Sequence, residues 1–249
     1  MSNLILDIGN TRTKAAVTDG GRIVEMYTAD NPDQLELDKF CILHGVVAAV
    51  ASVVNCQPDF GRLLPPRVFA RFHQLGPHSR LPIVIDYETP HTLGMDRIAA
   101  VVGAREECPD GPLLVVDAGT CITVDLLDGD NRFLGGAILP GIAMRLRAMH
   151  QFTAALPQVV LSPDERDGSL PTPMTGRTTR ASLVAGACNA SLFEIQGFAE
   201  AYSKQFPGIK LFLTGGDADF FAKRLFFPNF ATPNLIVTGL DKILRMNVI

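Results

Sequence analysis

The sequence predicts an α/β fold made of two similar lobes, each a mixed sheet flanked by helices. Three observations predict it. The phrase Asp7-Ile8-Gly9-Asn10-Thr11 near the start is matched by Asp117-Ala118-Gly119-Thr120, and at the fixed offset of 110 Asp7 aligns with Asp117, Gly9 with Gly119, Thr13 with Thr123 and Arg22 with Arg132. Each copy follows a short β-type apolar run, Leu4, Ile5 and Leu6 in one and Leu113 to Val116 in the other. Each then leads through a second apolar strand and a Gly/Asp turn into a third. The expected division is 1–112 for the first lobe and 113–249 for the second.

In chain order, Asn3 to Ile8, Lys14 to Thr18 and Arg22 to Tyr27 read as strands, the last two joined by the hairpin turn Asp19-Gly20-Gly21. The valine-rich run Val46 to Val54 suits a strand buried on both faces. Pro82 to Tyr87 reads as a further strand. Gly94 to Glu107 reads as a helix, with Ile98, Ala99, Val101 and Val102 among its apolar residues. The second lobe opens with Leu113 to Asp117, continues through Cys121 to Leu127 and turns at Asp128-Gly129-Asp130-Asn131. Gly135-Gly136-Ala137-Ile138-Leu139-Pro140-Gly141 then leads into a helix through Met144, Leu146 and Met149. Leu156 to Thr179, rich in Pro, Ser, Asp and Thr, reads as an ordered irregular loop. A long helix from Thr179 to Phe206 and a strand from Lys210 to Leu213 follow, and Thr214-Gly215-Gly216-Asp217-Ala218 turns into another helix.

Composition narrows the function classes. With 47% hydrophobic residues in 249, the chain can bury a sizeable core. A net charge of −4 and the lack of Gly-Arg-rich stretches and aromatic platforms argue against a nucleic-acid surface. No apolar run approaches the ~20 residues that span a bilayer, and the N-terminus has no basic, apolar leader pattern, so a soluble cytoplasmic protein without a membrane partner is expected. The five cysteines are scattered, with no CxxC or CxxH spacing, as expected of reduced core thiols. The histidines show neither metal nor triad spacing; His91 either lines a pocket or is a solvated loop residue.

The turns carry the chemistry. In Asp7-Ile8-Gly9-Asn10-Thr11 the glycine lets the backbone turn so that successive amides and the Asn and Thr side chains can face phosphate oxygens. Asp7 at the strand's end can hold a hydrated Mg²⁺, and Lys14 adds a cation nearby. A tight hairpin with an Asx-type cap has the same local sequence. Two such turns at equivalent positions, however, suit opposite sides of one nucleotide, and Thr214-Gly215-Gly216-Asp217 adds a third turn where an adenosine or ribose commonly sits. The pattern GxxxxGK[ST] is absent, so this is no Walker A loop.

In order, the phrases are Asp7 to Lys14, Tyr87-Glu88-Thr89-Pro90-His91-Thr92-Leu93-Gly94-Met95-Asp96-Arg97, Asp117 to Asp125, Gly135 to Gly141, and Thr214 to Ala218. This series resembles type III pantothenate kinases, a family of the actin/hexokinase/Hsp70-like superfamily. The resemblance runs along nearly the whole chain and implies two ribonuclease-H-like lobes of the actin-like ATPase fold. It also implies ATP-dependent phosphorylation of pantothenate at its primary hydroxyl, the first step toward coenzyme A.

By that resemblance, Asp7, Ile8, Gly9, Asn10, Thr11, Arg12, Thr13, Lys14 and Thr120 bind ATP. Tyr87, Gly94, Met95, Asp96, Arg97 and Thr179 form the acceptor site, with Asp96 as general base. The physics agrees: a primary alcohol loses its proton to a carboxylate only as the bond to phosphorus forms. Arg97 suits a carboxylate better than an ammonium would. Read alone, Asp96 and Arg97 also fit an exposed capping pair at a helix start. The resemblance assigns Asp117 a monovalent cation, K⁺ or NH₄⁺, beside the Mg²⁺ of the nucleotide; the residues alone allow Mg²⁺ at Asp117 equally. Thr179 would complete the acceptor pocket of a neighbouring subunit, so a homodimer is implied. Cys121 and Met95 stand where alanine is common in the family. Cys121 beside Thr120 is either an oxidisable thiol or an inert buried one. Two other readings stay open: a regulatory, transcriptional accessory homologue with weak or no catalysis, and a same-fold kinase or phosphatase with another acceptor.

Overall fold

The computed structural model describes residues 1–9, 11–54 and 58–248. The chain forms two compact units. One comprises Met1–Asp110, Asn131–Phe133 and Asn234–Ile249; the other comprises Gly111–Asp130 and Leu134–Pro233.

In the first unit, β1 (Ser2–Ile8), β2 (Thr13–Asp19) and β3 (Arg22–Ala29) form an antiparallel meander. On the other side of β1 lie β4 (Ala48–Val53) and then β5 (Phe72–Gln74), both parallel, giving the order β3-β2-β1-β4-β5. Residues 3–8 of β1 are all buried, which explains a continuous apolar run without alternation. By contrast β3, at the edge, has no residue fully buried. The connection from β3 to β4 passes through α1 (Leu37–Leu43), and that from β4 to β5 through the one-turn helices α2 (Phe60–Leu63) and α3 (Pro66–Phe69). Leu4, Leu6, Ile8, Val17, Leu37 and Val68 are among the residues of one shared core.

Strand β6 (Val84–Ile85) and helix α4 (Met95–Glu107) complete the 1–110 segment. Helix α9 (Leu235–Asn247) packs along α4 at glycine-to-backbone contacts. A Cβ on Gly239 would lie 2.8 Å from the Ala99 carbonyl carbon, and one on Gly103 would lie 2.7 Å from that of Leu235. Buried Asp241 on α9 accepts hydrogen bonds from Asn3 Nδ2 (3.2 Å) and Thr18 Oγ1 (2.5 Å), tying the helix to β1 and β2.

In the second unit, β7 (Leu113–Ala118) and β8 (Cys121–Leu127) are antiparallel, and β9 (Arg132–Pro140) neighbours β8. On the other side of β7 lie β10 (Lys210–Thr214) and β11 (Asn229–Ala231), both parallel, and β6 pairs with the start of β9, giving β6-β9-β8-β7-β10-β11. Strands β7 to β11 thus repeat the order of the first sheet, third-second-first-fourth-fifth, and the third strands start at Arg22 and Arg132, the aligned pair of the repeat. Helices α5 (Ile142–Gln151), α6 (Pro163–Arg166), α7 (Thr179–Gln205) and α8 (Ala218–Ala222) complete this unit. Val116, Ile122, Leu146, Ile195, Leu213 and Phe220 are among the residues of its core.

The structure differs from the sequence reading in particulars. The strand expected over Pro82–Tyr87 is only Val84–Ile85, with Pro82 just before it. The irregular loop 156–179 contains α6, set by the capping box Ser162-Pro163-Asp164-Glu165. Residues 234–249 group with the first unit, not with 113–233. Cys41, Cys108 and Cys188 are buried thiols and Cys121 is half-buried; burial pushes Cys41 and Cys188 up to about 11, so both stay protonated. Among the described residues no helix is long and apolar enough to cross a membrane.

Candidate active site

In the first unit the candidate residues gather where β1 meets β2. Asp7, next to the last residue of β1, lies directly across the ladder from Lys14. The Gly9 N–H donates to the Arg12 carbonyl at 3.0 Å and closes the turn. Asn10 lies outside the described residues. Thr11 and Arg12 are exposed, whereas Ile8 and Thr13 send their side chains into the core, so a ligand here meets those two through backbone. Asp7 is buried, and burial raises its carboxyl to about 6; Lys14 pulls it down, and the negative charge of Asp96 pushes it up. The structure therefore brings Asp7 and Asp96, far apart in sequence, into electrostatic range.

Asp96 sits in the first turn of α4, where a carboxylate is favoured by the unsatisfied N–H groups. Its Oδ1 accepts from the Arg97 N–H at 2.9 Å. A Cβ on Gly94 would lie 2.5 Å from that same oxygen, so the carboxylate folds over Gly94 and would have to move aside for a larger residue. Gly94 is the N-cap and supplies no side-chain bond, and Met95 is the first helical residue. Arg97 is only 6% exposed, so it is not the solvent-facing member of a capping pair. Its guanidinium carbon lies 5.9 Å from the Tyr87 ring centre and 5.7 Å from that of Phe133. His91, in the turn before Gly94, is exposed.

In the second unit, three glycine turns converge. Asp117, next to the last residue of β7, lies opposite Thr123 on β8 and Thr214 on β10. The Gly119 N–H donates to the Cys121 carbonyl at 3.0 Å, and the Gly141 N–H donates to the Thr120 carbonyl at 3.1 Å. A Cβ on Gly141 would lie 2.6 Å from that Thr120 oxygen. Gly215 has φ +94°, and a Cβ there would lie 2.5 Å from the Ala118 oxygen and closer still to Asp117 Oδ1. The motif around Gly215 thus folds directly onto the motif around Asp117, leaving Thr120 exposed at the rim.

Beyond that junction the Asp217 N–H donates to the Ala118 carbonyl at 2.9 Å, and the buried Asp217 carboxylate pairs with Arg166 Nε at 2.5 Å. Both line a cavity of about 470 Å³ with Ile142, Leu146, Arg147 and Gln158. Arg166 lies in the stretch that reads as a loop; the capping-box spacing Ser162-x-x-Glu165 is the signal that could have exposed it. Arg180 and the cap hold Glu165 down to about 2, which fixes α6 against the start of α7. Thr179 is exposed as the first residue of α7, and its neighbour Thr178 caps the helix by accepting from the Ala181 N–H at 3.1 Å.

A larger cavity, about 630 Å³, lies by α1 of the first unit, with Tyr27, Phe40 and Leu43 in its wall and none of the expected site residues. Among the described residues no cluster of three or more His, Cys, Asp or Glu could cage a metal. One carboxylate per turn fits an ion that keeps water and phosphate oxygens as its other ligands.

The model of the family described as type III pantothenate kinase matches residues 3–201. The chain belongs to the type III pantothenate kinase family. A type III pantothenate kinase of Cytophaga hutchinsonii is 39% identical over 99% of this chain and 100% of its own length. Among solved structures, a Campylobacter jejuni protein described as a Baf family transcriptional activator superposes with a TM-score of 0.60 at 26% identity, covering 97% of each chain. The Acidaminococcus fermentans (R)-2-hydroxyglutaryl-CoA dehydratase component A superposes at 0.58 with 11% identity, covering 100% of this chain and 96% of its own, a likeness of fold alone. The family is one of enzymes with the actin-like ATPase fold, and full-length matches to type III pantothenate kinases do not favour the regulatory reading.

Proposed function

We propose that the chain transfers the γ-phosphoryl group of ATP to the primary hydroxyl of pantothenate, giving 4′-phosphopantothenate and ADP as the first step of coenzyme A biosynthesis. The observation that carries this reading is the Asp96 carboxylate, folded over Gly94 beside buried Arg97 and in electrostatic range of Asp7. As the hydroxyl oxygen bonds to phosphorus and the bond to ADP breaks, Asp96 takes the hydroxyl proton. Arg97 binds the carboxylate of pantothenate, and Tyr87, Gly94 and Met95 line the same acceptor site. The turn from Asp7 to Lys14 offers amides, the Thr11 hydroxyl and the Lys14 ammonium to phosphate oxygens, and Thr120 also binds ATP phosphate. The cavity walled by Arg166 and Asp217 takes the nucleoside.

Mg²⁺ brought by the nucleotide neutralises phosphate charge, and Asp7 would hold it through water. Asp117 would hold the monovalent cation, K⁺ or NH₄⁺, through its carboxylate. The protein acts in the cytoplasm as a homodimer in which exposed Thr179 completes the partner's acceptor pocket. ATP turnover by the purified protein tests this: ADP should form only with pantothenate present, and faster in K⁺ than in Na⁺. ADP release that ignores pantothenate in K⁺ buffer would refute the acceptor assignment.

A further inference from the structure

We propose that Phe133 is a positioning residue for acceptor recognition, holding the Arg97 guanidinium in the orientation that binds the acceptor's carboxylate. The inference rests on the reading of Arg97 above and adds a residue that none of the motifs contains. Phe133 is fully buried, yet its ring faces a cation and not only aliphatic neighbours. The Arg97 guanidinium carbon, the Phe133 ring centre and the Tyr87 ring centre form a nearly equilateral triangle with sides of 5.7, 5.9 and 6.2 Å. The two rings meet at 61°. The cation therefore sits in a corner with two aromatic walls, each within the ~6 Å over which a ring attracts it.

Phe133 also fixes the second wall through its backbone. It pairs with Ile85 in the parallel ladder of β6 and the start of β9, and its carbonyl accepts the Asp86 N–H at 3.0 Å. Val84 N–H donates to the Asn131 carbonyl at 2.8 Å, and Asp86 pairs with Arg132. Tyr87 follows directly on this short clamp. One residue thus provides one wall by its ring and locates the other by its main chain. Rings that hold a guanidinium attract it through their faces and leave its directional in-plane N–H groups to set the geometry toward a carboxylate.

The test compares pantothenate with pantothenol, which carries a hydroxymethyl group where pantothenate has its carboxylate. Steady-state constants for both, with ATP saturating, are measured for the wild type, Arg97→Gln, Phe133→Met and Tyr87→Leu. Methionine refills most of the Phe133 volume without an aromatic face, and thermal melting verifies that each variant is folded. Phe133→Met should raise KM for pantothenate about 5- to 30-fold. It should leave kcat, the KM for ATP and the constants for pantothenol within about threefold, and Tyr87→Leu should shift pantothenate in the same direction. An equal loss for pantothenate and pantothenol, or no change in either, overturns the role of Phe133. Should Phe133→Met not fold, Phe133→Leu is read by the same criterion. A preference for pantothenate that survives Arg97→Gln, or none in the wild type, refutes the Arg97 reading itself and the inference with it.

Discussion

Replacing Gly94 by alanine would push a methyl group into the Asp96 carboxylate. The added carbon would lie 2.5 Å from Oδ1, where ordinary contact begins near 3.4 Å, so the oxygen must retreat by about 1 Å. The backbone itself tolerates alanine, since Gly94 has φ −60° and ψ 128°. Its N-cap position makes no side-chain bond, so the fold loses only about 1 kcal/mol or less. Catalysis should lose far more, because a misplacement of ~1 Å in a reacting group costs on the order of 100-fold. Gly94→Ala should therefore lower kcat about 10- to 100-fold while the melting temperature falls by a few degrees. A variant with kcat within threefold of wild type would refute the claim that the Gly94 gap fixes the base.

Other consequences are equally direct. Gly239→Ala meets the backbone of Ala99 and has no flexible side chain to displace, so urea unfolding should show a loss of about 3 kcal/mol. Asp7 sets a pH dependence: because its folded-state carboxyl is raised to about 6, the folded chain binds more protons than the unfolded chain between about pH 4 and pH 6. Stability of the wild type relative to Asp7→Asn should fall across that window, by about 3 kcal/mol in total, and unfolding midpoints at pH 4 and pH 7 check the sign. Arg166→Ala strips the buried Asp217 carboxylate of its ion-pair partner; KM for ATP should rise severalfold with KM for pantothenate unchanged.

The repeat makes the architecture legible. A strand that ends in Asp, turns at Gly and returns is a local event, and its recurrence at one offset implies two sheets of one order without any long-range contact being known. Helices α4 and α7 are legible from composition and length: α4 is an apolar run buried from Arg97 to Arg105, and α7 runs 27 residues without a proline. Helix α9 is not, although buried Leu235, Leu240, Ile243 and Leu244 give it an apolar side; its position on α4 depends on Gly103 and Gly239, a pairing no local pattern announces. The three-residue strands β5 and β11 exist because neighbours pair with them, not because of their own sequence. Within the site, Asp7, Asp96 and Asp117 stand out because chemistry dictates carboxylates beside glycine turns. Arg166 and Phe133 do not, because each acts through a partner distant in sequence: Asp217 for one, Arg97 for the other.

The central claim is that Asp96 takes the acceptor's proton. Pantothenate-dependent ADP formation by Asp96→Asn, set beside ATP affinity measured separately, tests it most directly. In that variant kcat should fall about 100- to 10,000-fold while ATP still binds, since asparagine keeps the size and the hydrogen bond but cannot accept the proton. Turnover near the wild-type rate in the folded variant would contradict it.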